Sequence, residues 1–183
     1  MKKILFFRFS KKGFTLVEAL IAMSVLIIGI FSGFVLVTRA LYNAAVIQDR
    51  LTASFLAQEG VELVRQIRDT NFIKILDNES DNWRDGLEDG TYIVEAKIRD
   101  GSSISLVPIE EGREAPNLLY NDDVDQRIYN HSIGEETVFN RKIKISTIPG
   151  DQIMVEVIMN WKTRNIEFDL IVEDRLFNWL NLN

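Results

Sequence analysis

Few residues in this sequence have the types and spacing that chemistry requires. Asn121-Asp122-Asp123-Val124-Asp125 offers oxygen ligands at alternate positions, as a calcium loop does, which makes Asp123 and Asp125 the candidates for a hard cation. The pattern departs from a calcium loop at two points. Gln126 stands where the sharp turn needs Gly, and Ser132 where a bidentate Glu closes the loop. A solvated hairpin tip is the simpler reading, and no metal or other cofactor is expected. His131 is the one histidine, and a chain with no Cys gives it no thiol partner. A triad needs a geometric partner for its imidazole, so His131 is expected at the surface. No Gly-rich phosphate loop follows a strand, and no pair of carboxylates falls at a spacing that selects acid/base work. The chain reads as a non-enzyme.

One acid is out of place. From Phe14 to Val37, apart from Gly29 and Gly33, only Thr15, Glu18, Ser24 and Ser32 are polar. At about 1.5 Å per residue such a run crosses a hydrocarbon core of roughly 30 Å. A carboxylate inside it costs several kcal/mol, about 3 on insertion scales, unless a partner is supplied. Five cations precede the run (Lys2, Lys3, Arg8, Lys11 and Lys12) with no acid among them. They place the N-terminus on the cytoplasmic side and everything after Arg39 outside the cytoplasm. The run is too long for the about 7–15 apolar residues of a secretory signal, and Thr38-Arg39-Ala40 is a poor cleavage site. A lipoprotein signal needs a Cys, which the chain lacks.

The charge is uneven. Of 21 basic residues five lie before Gly13, leaving 16 against 27 acids, or −11, in the rest. A body so acidic does not neutralise phosphates, and no nucleic-acid partner is expected.

The elements that must carry this head follow from periodicity. An apolar stripe continues through Leu41, Ala44, Ala45, Leu51 and Phe55, then Leu56, Gly60, Leu63, Val64 and Ile67. One helix is expected from about Phe14 to about Asp69, apolar all round in its first half and amphipathic in its second. Arg65 and Asp69 are spaced for an i,i+4 pair. Asp77 to Gly90 is a polar break. Thr91–Arg99 and Ser103–Val107 then flank an Asp-Gly turn. Leu118–Tyr120 and Arg127–Tyr129 suggest a smaller hairpin, and Pro108 to Thr137 is the most loop-like region. The clearest strands come last. Phe139, Ile143 and Ile145 alternate with Lys142 and Lys144, and Ile153, Val155, Val157, Met159 and Trp161 share a face. So do Ile166, Phe168, Leu170 and Val172, with turns at Pro149-Gly150-Asp151 and Thr163-Arg164-Asn165. An antiparallel meander with one apolar face, covered by the amphipathic half-helix, gives an α+β layer pair.

Gly13-Phe14-Thr15-Leu16-Val17-Glu18, behind a basic leader and ahead of about twenty apolar residues, resembles the cleavage and methylation motif of type IV filament subunits, the pilins and pseudopilins. Trp83, Gly90-Thr91-Tyr92, Phe139-x-Arg141, the alternating run that ends at Trp161, and Phe177-Asn178-Trp179 look like PilV-like minor pilins, more loosely. The chain departs from many major pilins in lacking a Cys pair.

The resemblance implies a pilin-like fold, a long N-terminal helix on a C-terminal antiparallel sheet. It implies four regions: a removable leader at 1–13, a transmembrane and filament-core helix at 14–37, its amphipathic continuation at 38–69, and a globular domain at 70–183. Prepilin peptidase would cut between Gly13 and Phe14 and methylate the new amine of Phe14. Glu18 would pair with the amine of a neighbouring subunit. Gly29 and Gly33, in GxxxG spacing, would permit close helix approach or mark where the helix extends on leaving the bilayer. The implied partners are other pilin or pseudopilin subunits, prepilin peptidase, the pilus assembly machinery and the cytoplasmic membrane. The implied setting is a single-pass inner-membrane protein destined for a type IV pilus or a type II secretion pseudopilus. The alternative is a membrane-anchored extracytoplasmic adhesin or ligand-binding module that is not built into a filament.

Overall fold

The computed structural model describes residues 13–97, 103–110, 112–123 and 126–180. The leader cations, the Asp100-Gly101 turn and Asp125 lie outside the described residues. One helix, α1 (Leu16–Leu76), is followed by seven strands: β1 (Gly90–Lys97), β2 (Ser103–Pro108), β3 (Asn117–Asp123), β4 (Gln126–Asn130), β5 (Glu135–Ile148), β6 (Gln152–Thr163) and β7 (Ile166–Phe177). The chain divides into two compact units, the first ending at Ala44 and the second beginning at Ala45.

The first unit is the head of α1. Its apolar side chains, from Phe14 to Leu41, are exposed. The helix contains a window long and apolar enough to cross a membrane. Its hydroxyls are satisfied locally: Ser24 donates to Leu20 O at 2.8 Å, Ser32 to Ile28 O at 2.8 Å and Thr38 to Phe34 O at 2.9 Å. Such back-bonding removes the cost of a lone hydroxyl in hydrocarbon.

In the second unit the rest of α1 covers one face of the sheet. Ala53, Leu56, Ala57, Gly60, Val61 and Val64 are buried there. This corrects the expected stripe, because Leu51 and Phe55 point outward. Docking keeps the expected Leu56, Gly60 and Val64 and adds Ala53, Ala57 and Val61, with the small residues letting helix and sheet approach closely. A Cβ on Gly60 would stand 3.0 Å from Val157 Cγ1 and 3.3 Å from Arg141 Cδ. The expected Arg65–Asp69 pair is also replaced. Arg65 reaches Asp174 on β7 at 2.9 Å and Glu62 at 3.3 Å, while Asp69 pairs with Arg68 at 2.8 Å.

The helix runs to Leu76, past the expected end near Asp69. Asn71 does not break it, because its amide donates to Trp83 O at 3.1 Å and Asp85 O at 2.8 Å. Phe72, one residue on, stacks on Trp83 and meets Trp179. Termination comes at Asn78, in the left-handed region with φ 59°. Glu79 N–H bonds Lys74 O and Asn78 N–H bonds Ile75 O, a Schellman closure.

All strand pairings are antiparallel. The last three strands form the expected meander, with Ile153, Val155, Val157, Met159 and Trp161 buried in alternation. Arg164 and Asn165, both at positive φ, make the tight β6–β7 turn. The other four strands do not extend that meander. The hairpins β1–β2 and β3–β4 attach to the same edge of β5, β1 along Ile143–Ile145 and β3 along Glu135–Asn140. β5 therefore forks, with Arg141 and Lys142 at the parting. The expected loop-like region from Pro108 to Thr137 holds β3 and β4. Gly134, at φ 135°, lies with its backbone against Tyr120, where no side chain fits.

Candidate functional site

The head of α1 is organised by its cap. Thr15 is the N-cap: its Oγ1 accepts the Glu18 N–H at 3.3 Å and its carbonyl accepts the Ala19 N–H at 3.1 Å. Glu18 thus occupies the third helical position of a Thr-x-x-Glu sequence, where a carboxylate also meets the positive end of the helix dipole. Sequence reasoning missed this second meaning of Glu18, although Thr15-x-x-Glu18 carries the capping signal openly. Gly13 and Phe14 precede the helix, and Phe14 is exposed.

Glu18 is exposed on the helix head. Among the described residues its carboxylate makes no hydrogen bond or ion pair, unlike Ser24 and Ser32, which satisfy themselves within the helix. An acid held in the first turn of an apolar helix, with no partner in its own chain among those residues, can take up a cation brought by another chain. Gly29 and Gly33 have open space beside them, with nothing within 4 Å of an added Cβ.

The remaining candidates stand apart from the helix head. Asp123 ends β3, and its N–H donates to Asn121 Oδ1 at 3.1 Å. Asn121, a proposed cation ligand, therefore serves the local backbone. Asp125 lies outside the described residues, and no group of three metal-binding side chains occurs among those described.

His131 is not the expected surface imidazole. It is half-buried beside the β5 fork, and neither ring nitrogen makes a hydrogen bond of good geometry. Burial, and then the Arg141 guanidinium, push it below its ordinary value of 6.5. Glu95 and the Asn117 backbone act the other way, the latter falling short of hydrogen-bond geometry.

Comparison with known families matches the prokaryotic N-terminal methylation motif to residues 8–35. No curated protein and no solved structure matches the chain. The matched segment takes in the Gly13–Glu18 motif, the Thr15 cap and most of the apolar run. The chain carries this motif at the head of a long apolar helix, followed by an antiparallel sheet in a pilin-like α+β architecture, and is a type IV pilin-like substrate of prepilin peptidase.

Proposed function

We propose that the protein is a minor pilin or pseudopilin, a structural subunit built into a type IV pilus or a type II secretion pseudopilus. Residues 1–13 form the leader, residues 14–37 the membrane and filament-core helix, and the remainder the extracytoplasmic part. Cleavage between Gly13 and Phe14 frees an amine on Phe14, which is then methylated. That amine is a cation at the edge of an apolar environment, and Glu18 is an acid one helical turn along. Each neutralises on a neighbouring subunit a charge that would otherwise be buried alone. The pair sets axial register, and Gly29 and Gly33 admit close packing of helices.

The observation that carries this reading is Glu18 itself. It lies within the matched motif, its backbone is fixed by Thr15, and its carboxylate is unpartnered among the described residues. The test is filament incorporation. In cells with an assembly system, Glu18→Ala should leave the protein in the membrane and remove it from sheared filaments. Glu18→Gln keeps the shape without the charge and should fail equally. Normal incorporation of either variant would overturn the pairing. Mass spectrometry of the membrane form should give a chain that begins at methylated Phe14. An intact Met1 in cells carrying the peptidase would overturn the processing.

A further inference from the structure

The outer face of the sheet carries a groove that the assembly reading does not use. It lies over β5, β6 and β7 and encloses about 630 Å³, within the roughly 300–1,000 Å³ of small-molecule sites. Strand alternation sends Phe139, Ile143, Val157 and Met159 into the core and turns their neighbours outward. Register then fixes the floor. Asn140 of β5 stands opposite Asn160 of β6, and Asn160 opposite Asp169 of β7. With strands about 4.8 Å apart, this row of polar heads is roughly 10 Å long. Beside it Lys162 faces Glu167, with Nζ 3.6 Å from the carboxylate, and Lys142 lines the other side.

The segment before β3 overhangs one flank. Asn140 Nδ2 donates to Ala115 O, which leaves Asn140 Oδ1 buried with no protein partner. A buried acceptor left unmade costs about 1–3 kcal/mol. The half-exposed Val138 adds apolar surface to the same groove.

The lining excludes several ligand classes. Glu114, Glu167 and Asp169 repel a polyanion, and Lys142 and Lys162 offset those carboxylates so that a bare cation gains little net attraction. Strand addition over this floor is excluded as well, because Asn140 and Asn160 are each already paired with a strand on both sides. What suits a mixed row of amides, carboxylates and ammonium groups is a ligand whose every polar group both donates and accepts. Hydroxyl groups do this. We propose that the groove binds a neutral carbohydrate of more than one ring. Asn160 and Asp169 take adjacent hydroxyls, the lysines donate to ring or hydroxyl oxygens, and the exposed Val138 meets a C–H face. Every residue involved lies between Glu114 and Asp169, so this site stands or falls separately from Glu18 and filament assembly.

The test uses the full chain in a detergent without a sugar headgroup. The protein is applied to an immobilised panel of neutral oligosaccharides of hexose and N-acetylhexosamine units, with sulfated and sialylated oligosaccharides alongside. At least one neutral glycan should be retained. Asn160→Ala or Asp169→Ala should weaken retention about tenfold, or about 1.4 kcal/mol, with thermal melting unchanged. Lys162→Ala, at a half-exposed side chain, should weaken it too and serves if a floor variant unfolds. No retention on any neutral glycan would overturn the site. So would retention of the charged glycans only, or wild-type retention by all folded variants.

Discussion

Arg141 on β5 and Glu59 on α1 meet at 2.9 Å, with the guanidinium buried and the carboxylate half-exposed. The same nitrogen of Arg141 donates to Leu56 O at 3.0 Å, so one sheet residue grips both a side chain and a backbone carbonyl of the helix. This contact, with Gly60 pressed against Val157 and Arg141, fixes the register of helix on sheet. A buried cation tolerates little loss of its partners, whereas a half-exposed acid is partly replaceable by water.

The two sides of this pair should therefore respond unequally. Arg141→Ala removes both grips and leaves a cavity, and should cost about 3 kcal/mol. Glu59→Ala should cost only about 1 kcal/mol, because Leu56 O and solvent still serve the guanidinium. Urea unfolding of the detergent-solubilised chain, followed by tryptophan fluorescence, measures both. Equal losses would mean that Glu59, not Leu56 O, is the main partner.

Gly60→Ala tests the close approach. Replacing Gly by Ala in a helix interior ordinarily gains about 1 kcal/mol. Here the new methyl meets Val157 Cγ1 at 3.0 Å and Arg141 Cδ at 3.3 Å, and Val157 is a stiff, fully buried side chain. Overpacking of this kind costs about 1–3 kcal/mol, so the net change should be a lower urea midpoint. Gly33→Ala, where nothing lies within 4 Å of the added Cβ, provides the contrasting helix site with no such clash.

The helix head was the most legible part of the chain, because Gly13 to Glu18 is contiguous and its signal is local. The strands around Val155 and Val157 were legible for a related reason: alternation is written along one strand. Where large side chains mislead, the reading failed. Leu51 and Phe55 were expected on the docking face beside Leu56, Gly60 and Val64, but Ala53 and Ala57 take their place, and periodicity gives small residues little weight. The expected helix end near Asp69 fell short because what holds the last turns lies a loop away: the Asn71 amide is satisfied by Trp83 O and Asp85 O. The fork of β5 and the Asn140–Asn160–Asp169 row were invisible, since strand order and register arise from pairings distant in sequence.

His131 should make stability depend on pH. Its native value lies below the ordinary 6.5, because burial and Arg141 disfavour the imidazolium. Above 6.5 the ring is neutral folded and unfolded, and its contribution is fully present. As pH falls below that value the unfolded chain binds a proton that the native chain refuses, so stability declines until the native value is passed. The limiting slope is about 1.4 kcal/mol per pH unit. His131→Gln should flatten the pH dependence below 6.5 relative to wild type. An unchanged profile would show that carboxylates, not His131, govern it.

Asn78 tests how α1 ends. Its φ of 59° is comfortable for Asn or Gly and strained for a β-branched residue. Asn78→Gly should leave stability within a few tenths of a kcal/mol of wild type, and Asn78→Val should cost about 1–2 kcal/mol. The loss should reach beyond the helix end. Asn71 and Phe72 sit in the last two turns and hold Trp83, whose indole N–H also donates to Asp151 Oδ1 at 3.2 Å. Asp151 Oδ2 in turn accepts from the Asn178 amide at 3.0 Å, which ties in the strand-exit segment that carries Trp179. Fraying the cap loosens this chain of contacts, so Asn78→Val should shift tryptophan emission to the red before global unfolding. Asp151→Ala, which cuts the chain of contacts while sparing the cap, should give the same shift with helix content by circular dichroism unchanged. If Asn78→Val lowers the midpoint but leaves the emission at its wild-type position, the cap and the tryptophan cluster are uncoupled.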